Sequence, residues 1–157
     1  MKKDIFIDNN IAKNFCNPMD PEYKKLIAWL MKNNPTDSSG NAYLVVSNKL
    51  LAEYNRSVSF STSASSIPII IDRLTREGRL IKVNNTAIKE FQRRCFSKKI
   101  QKNLRSNLED QDHIPVVLLS DRKYALSLDE DFIYDLTHFP GFRARVEKRP
   151  EKLPYEE

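Results

Sequence analysis

Four acidic residues of this 157-residue chain stand beside apolar runs, where carboxylates could support metal-ion chemistry: Asp8, Glu53, Asp112 and Asp129. Asp8 directly follows the apolar residues 5–7, and Asp129 directly follows the run 124–128. Both runs predict buried strands. The carboxyl ends of parallel strands border one crevice, which is where ligands bind in open α/β sheets. We therefore expect a single acidic pocket, in which a hard divalent cation would relieve the repulsion between the carboxylates.

The elements that must position these acids alternate along the chain between strands and helices. Apolar runs predict strands at residues 5–7, 42–46, 80–83 and 124–128, with 142–146 as a candidate fifth. This alternation predicts an α/β fold: a single three-layer domain with a central, mostly parallel twisted sheet of four to five strands flanked by helices. We assign residues 1–148 to this domain and residues 149–157 to a C-terminal tail. The serine-rich residues 57–66 predict a loop.

The composition restricts the class of protein. No segment approaches the ~20 apolar residues that span a bilayer, so we expect a cytoplasmic protein with no membrane partner. Cys16 and Cys95 are too few and too far apart in sequence for a disulfide framework or a zinc site. His113 and His138 lack the companions of a zinc site or a histidine general base. The glycines are isolated, which argues against a phosphate-cradling nucleotide fold.

The net charge of +5 is unevenly distributed. Residues 89–105 carry seven basic side chains and a single acid, Glu90. Such a segment favours a polyanion partner bound through its phosphates, although an ordinary solvated helix face has the same composition. The candidate RNA-phosphate contacts are Arg93, Arg94, Lys98 and Lys99.

With the acids placed, the chain resembles the PIN-domain ribonucleases, a family that includes the toxins of VapBC pairs. Asp8 to Asn10 in IFIDNNI look like the family's opening D-x-N, and Glu53 in VVSNKLLAEY looks like its second acid. Asp112 in EDQDHIPVVLLS looks like the third acid at a helix start, and SLDEDF at 127–132 looks like the family's T-x-D-x-D-F segment. RVEKRPEKL resembles the closing strand. Two departures matter: Ser127 stands where Thr is common, and Asp110 competes with Asp112.

The resemblance implies hydrolysis of RNA phosphodiester bonds with one or two Mg²⁺ or Mn²⁺ ions. It gives Asp8 and Asp112 central metal ligation, and Glu53 and Asp129 ligation directly or through water. Asp112 is preferred to Asp110 because it directly adjoins an apolar helix, which it would cap. The resemblance also implies an antitoxin partner and a homodimer. The supporting residues are Asn10, which would orient Asp8 or a phosphate, together with Ser127, Asp110 and Asp131.

Each acid also has an ordinary explanation. Asp8, Asp112 and Asp129 could be helix N-caps, and Glu53 could pair with Lys49 or Arg56 on its own helix. A non-catalytic PIN-like module that binds RNA or protein is the alternative from another class. A phosphatase with Asp8 as nucleophile is disfavoured, because Asn10 stands where a second carboxylate would be needed.

Overall fold

A five-stranded parallel sheet forms the centre of the protein. In the computed structural model, which describes residues 1–57 and 63–157, the strand order is β3-β2-β1-β4-β5. Central parallel strands are buried on both faces and read as continuous apolar runs, and Ile5, Phe6 and Ile7 of β1 are all fully buried. The strands are β1 (Lys3–Ile7), β2 (Ala42–Val46), β3 (Leu80–Lys82), β4 (Tyr124–Leu126) and β5 (Arg145–Glu147).

Nine α-helices lie in the described part of the chain. Three short 3₁₀ turns accompany them at Lys13–Cys16, Ser38–Gly40 and Pro150–Lys152. Residues 58–62 of the predicted serine-rich loop are outside the described residues. The helices are α1 (Asn9–Ala12), α2 (Pro21–Met31), α3 (Asn48–Ser57), α4 (Ile67–Arg76), α5 (Asn85–Cys95), α6 (Lys98–Asn103), α7 (Leu108–Gln111), α8 (Ile114–Leu118) and α9 (Glu130–Thr137).

The strand order places the helices in two layers. The chain moves outward from β1 through β2 to β3, then returns past β1 to β4 and β5. Because crossovers between parallel strands are right-handed, this reversal puts α1 to α4 on one face of the sheet and α5 to α9 on the other. The packing agrees, since α2 contacts α4 and α8 contacts both α5 and α9. The predicted single-domain, three-layer α/β fold is confirmed.

The reversal also creates a topological switch point between β1 and β4. These strands pair in parallel, with Phe6 opposite Ala125 and Ile7 opposite Leu126. The helices that follow β1 and β4 pack on opposite faces of the sheet, so a crevice opens between the carboxyl ends of these two strands. Asp8 follows one of these strands, and Asp129 follows the other by three residues.

The C-terminal region contains the candidate fifth strand, which forms as β5 at Arg145–Glu147. Residues 149–157, assigned above to a C-terminal tail, contact the rest of the domain. Leu153 and Tyr155 are buried in the core, and the Tyr155 ring lies 4.9 Å from that of Trp29. Within residues 1–57 and 63–157, no helix is long and apolar enough to cross a membrane.

Candidate active site

Asp8 occupies the turn between β1 and α1. Its backbone is extended, and its Oδ1 accepts a hydrogen bond from the Asn9 backbone N–H at 2.8 Å, so it is the N-cap of α1. Its Oδ2 accepts a second bond from the Ser127 hydroxyl at 2.7 Å. Burial raises the pKa of Asp8 more strongly than the Ser127 bond lowers it, and the charge of Glu53 raises it further. The carboxylate is therefore partly desolvated before any ligand binds.

Asn10 and Ser127 connect the ends of β1 and β4. The Asn10 side-chain nitrogen lies 3.4 Å from both Asp8 Oδ2 and Ser127 Oγ. Its side-chain oxygen accepts a bond from the Leu128 backbone N–H at 3.1 Å. Ser127 Oγ also accepts from the Asp129 backbone N–H at 3.1 Å. This network holds Asp8 and Asp129 in a fixed relation across the crevice.

Asp129 is the N-cap of α9. Its Oδ1 accepts hydrogen bonds from the backbone N–H groups of Asp131 and Phe132, at 2.9 and 3.2 Å. Asp8 and Asp129 are thus both helix N-caps, as the ordinary explanation of these acids predicted. It does not compete with a catalytic role, because a cap also fixes the direction of the carboxylate. Asp131 lies on the exposed first turn of α9.

Glu53 reaches the site from α3. The hydroxyl of the next residue, the buried Tyr54, donates to the Ile7 carbonyl oxygen, which ties α3 to the end of β1. Glu53 Oε2 lies 2.7 Å from Nε2 of His113. His113 is only 1% exposed, and its ring packs against Phe6 and Phe132. The sequence did not indicate a role for His113 in the site, because it shows no companions of a zinc site or a histidine general base near this residue.

Asp110, rather than Asp112, is grouped with the other acids. Burial raises the pKa of Asp110, and the charges of Asp129 and Asp8 raise it further, with a smaller contribution from Glu53. Asp112 instead accepts bonds from Lys49 Nζ and Gln92 Nε2, both at 2.9 Å. Burial tends to raise the pKa of Asp112, but these two bonds together with the positive charge of Lys49 lower it. The negative charge of Asp112 is therefore already compensated by Lys49, which lies outside the group of acids.

The expectation that Asp112 caps the apolar helix is wrong. Asp112 is the C-cap of α7, and His113 is the N-cap of α8. Successive helical residues turn by about 100°, so side chains two positions apart point in nearly opposite directions. Asp110 and Asp112 consequently face different sides of α7.

Asp8, Glu53, Asp110 and Asp129, which we call the acidic group, have the chemistry of a divalent-cation site without a preformed set of ligands around an ion. Their donors are carboxylate oxygens, which suit Mg²⁺ and Mn²⁺, and mutual repulsion contributes to the raised pKa values of Asp8 and Asp110. No three potential ligands stand close enough together to hold an ion within residues 1–57 and 63–157. Mg²⁺ commonly keeps several waters and binds through one or two carboxylates, so this spacing fits a hydrated ion.

The predicted RNA contacts divide into two pairs. Arg93 and Arg94 on α5 both form ion pairs with Glu90. Lys98 and Lys99 lie on the exposed first turn of α6. Neither of these lysines forms a salt bridge with any described residue. The lysine pair is the more available to a phosphate.

Comparison with known proteins places the fold. No protein-family model matches the chain, and no curated protein matches it significantly. It is similar in structure to a chain in the crystal structure of VapBC2 from Rickettsia felis bound to a DNA fragment from their promoter. The TM-score is 0.55 at 16% identity, covering 92% of this chain and 99% of that chain. At that identity the likeness shows a common fold and leaves the activity to be argued from the site.

Proposed function

We propose that this protein is a metal-dependent endoribonuclease whose acidic site consists of Asp8, Glu53, Asp110 and Asp129. One observation carries the proposal: Asp8, which follows β1, and Asp129, the N-cap of α9, are joined across the β1/β4 switch point by the Ser127 hydroxyl, and burial together with the charges of Asp129, Asp8 and Glu53 raises the pKa of Asp110 beside them. Neighbouring carboxyl groups with perturbed pKa values are typical of functional sites. The fold shared with the VapBC2 chain supports the same assignment.

The donor set is suited to Mg²⁺ or Mn²⁺, and one or two ions would be held by one or two of Asp8, Asp110 and Asp129 directly and by the others through water. Such an ion, when bound, supplies the positive charge that stabilises the transition state of phosphodiester hydrolysis and activates water. Asp8 would be oriented for this role by the hydroxyl of Ser127 and the amide of Asn10. Asp129 would be oriented by its capping bonds.

Glu53 would act at the edge of the site with His113 as its positioning residue. The Nε2 to Oε2 contact of 2.7 Å holds the Glu53 carboxylate, and the aromatic packing of His113 fixes the imidazole. Glu53 is then available to accept a proton from water or to bind an ion through water. Asp112, paired with Lys49, is left to stabilise the junction between α3 and α7.

Cleavage of labelled single-stranded RNA tests the proposal. Purified protein should cut the RNA when Mg²⁺ or Mn²⁺ is added and not when EDTA is added. Asp8→Asn should abolish cutting without unfolding the protein, because Asn caps helices as well as Asp does. Intact RNA in the presence of either metal, together with no metal binding by calorimetry, would refute the nuclease proposal.

A non-catalytic PIN-like module that binds RNA or protein is the second candidate. The capping roles of Asp8 and Asp129 favour it, because they give both residues a structural purpose without catalysis. Under this alternative, the wild-type protein should leave RNA intact, Asp8→Asn should keep the thermal stability of the wild type, and Asp8→Ala, which removes the cap, should lower it.

We also propose that the protein is the toxin of a toxin–antitoxin pair and forms a homodimer. The shared fold with the VapBC2 chain supports the toxin role, and the homodimer is implied by the resemblance to the PIN-domain family alone. Expression should arrest growth, and co-expression of the neighbouring gene should relieve the arrest. Light scattering should give twice the monomer mass. Unimpaired growth on expressing a protein that cleaves RNA in vitro would argue against the toxin role.

A further inference from the structure

An open groove of about 650 Å³ lies between α6 and the C-terminal part of α9, the helix whose N-cap is Asp129. We call it the Tyr134 groove, and the residues that matter to its chemistry are Ile100, Lys102, Leu104, Arg105, Tyr134 and His138. Its size falls in the range of ~300–1,000 Å³ that is usual for small-molecule sites. It therefore has room for one or two nucleotide units.

A stack of three planar groups forms one wall of the groove. The Arg105 guanidinium carbon lies 3.4 Å from the centre of the Tyr134 ring, and the His138 ring is stacked on the same ring at 4.0 Å. Two groups cannot share one face of a ring at these distances, so they lie on opposite faces. Arg105 and His138 are both exposed, so the outer face of each is available to a further planar group.

The stack is held rigidly to the body of the protein. The buried Asp135 accepts hydrogen bonds from the backbone N–H groups of Arg105 and Ser106, at 2.9 and 2.8 Å, which fixes the segment after α6 against α9. His138 Nδ1 lies 3.0 Å from the Tyr134 carbonyl oxygen, to which it donates. Preorganised aromatic groups of this kind bind planar ligands with little loss of side-chain entropy.

The charge around the stack favours phosphate. Lys102 and Arg105 form no salt bridge with any residue in 1–57 or 63–157. Lys98 and Lys99 lie four and three residues before Lys102 on α6, so the three amines share one face of that helix. Asp135, the acid in the groove wall, is buried and turned toward backbone amides.

We propose that the Tyr134 groove binds a single-stranded stretch of RNA that flanks the cleavage point. A base stacks on the Arg105–Tyr134–His138 column, while Lys102 and Arg105 contact phosphates. Unpaired bases stack on aromatic rings and guanidinium planes in this way, and those of a duplex are not free to do so. This inference rests on the proposed nucleic-acid function and adds a second binding site to it.

The distance along α9 between Asp129 and the groove sets the length of RNA that can reach both. Tyr134 and His138 are five and nine residues beyond Asp129, which at 1.5 Å per residue places them about 8 and 13 Å along the helix. At about 3.4 Å per stacked nucleotide, the groove lies roughly two to four nucleotides from the acids. RNA shorter than this should reach the acids without entering the groove.

Fluorescence anisotropy with a labelled single-stranded RNA tests the inference. An RNA of about 12 nucleotides lies within the ~4–16 nucleotides that such sites cover. All proteins carry Asp8→Asn so that the probe stays intact. His138→Ala should weaken binding about 5- to 100-fold, the usual effect of losing one stacking partner. At a pH where the imidazole is neutral, the salt dependence of RNA binding should be the same with and without His138→Ala.

The cationic variants should behave differently from the stacking variant. Lys102→Ala and Arg105→Ala should each weaken binding and also reduce the slope of log affinity against log salt by about 0.7, as expected for one lost phosphate contact on a single strand. Lys24→Ala is the matched control, because Lys24 is an exposed cation on α2 in the opposite helix layer. It should leave affinity and slope unchanged.

The outcomes separate this inference from the nuclease proposal. If the groove variants bind RNA as tightly as the control, or if a duplex of the same sequence binds equally well, the inference is overturned even when the protein cuts RNA. If the groove variants lose binding but Asp8-containing protein never cuts RNA, the groove assignment stands and the nuclease proposal fails.

Discussion

Asp110 and Asp112 provide the sharpest test of the proposed site, because they are two residues apart and should respond oppositely to the same change. Asp110→Asn removes a carboxylate whose pKa is raised by burial and by the charges of Asp129 and Asp8. Asp112→Asn instead weakens a salt bridge to Lys49 and the hydrogen bond that the Gln92 side-chain amide donates to Asp112. Both substitutions remove one negative charge and nearly preserve shape.

The structure sets the expected magnitudes. Mutating even an outer partner of a metal ligand costs ~10–100-fold in activity, so losing Asp110 as a direct ligand should cost about 100-fold or more. The Lys49–Asp112 side chains are 31% and 43% exposed, and exposed pairs contribute only about 0.2–1 kcal/mol. A loss of that size leaves the protein folded, so Asp112→Asn should cut RNA at close to the wild-type rate.

The assay compares initial rates of RNA cleavage at saturating Mg²⁺, with thermal unfolding of each variant as the control for folding. Calorimetric titration with Mn²⁺ should show weakened binding for Asp110→Asn alone. If Asp112→Asn abolished cleavage and Mn²⁺ binding while Asp110→Asn behaved as wild type, the assignment of the third acid would be wrong.

Three further predictions follow from individual contacts. Because burial and neighbouring charges raise the folded-state pKa values of Asp8 and Asp110 above the ordinary value of 3.8, these two carboxyl groups bind more protons in the folded protein than in the unfolded chain just above that pH; their contribution to the stability of the metal-free protein should therefore be lost as pH rises through this window. In thermal melts without metal, Asp110→Asn should reduce that loss and raise Tm at pH 7, and equal Tm values would contradict the electrostatic argument. His113→Ala should lower kcat about 10–100-fold with little change in KM, and His113→Gln, which keeps a donor, should restore part of it; equal kcat in the two variants would exclude a positioning role. Arg79 is 2% exposed and bonds the Leu30 and Ala42 carbonyl oxygens as well as Glu77, so Arg79→Met should destabilise folding by about 3–5 kcal/mol in denaturant titrations, whereas a change below about 1 kcal/mol, as expected at an exposed pair, would refute this.

The fold could be predicted from sequence because its strands are strongly patterned. Central parallel strands are mostly apolar; β2 and β4 lie within predicted runs, and the predicted run 5–7 forms the carboxyl half of β1. The carboxyl-end position of Asp8 follows from the same pattern. The C-terminal segment was harder to predict, because Leu153 and Tyr155 are separated by proline and carry no periodic signal, yet both are buried.

The site could be predicted less completely, because its geometry depends on turns that have no clear pattern. Asn107 caps a short helix, α7, ahead of the apolar run, and this helix start sets the directions of Asp110 and Asp112. Neither residue type nor spacing in the sequence shows which of two such acids turns inward. The contact of His113 with Glu53 joins residues 60 positions apart, and nothing local in the sequence indicates it.

A crystal structure of the protein soaked with Mn²⁺ tests the central claim most directly, because the anomalous signal locates the metal without assumptions about the reaction. We expect a peak at the β1/β4 switch point, with oxygens of Asp8, Asp110 and Asp129 at about 2.0–2.6 Å or one water further away. No peak at the switch point, or a peak held by Asp112 with Asp110 turned away, would contradict the account.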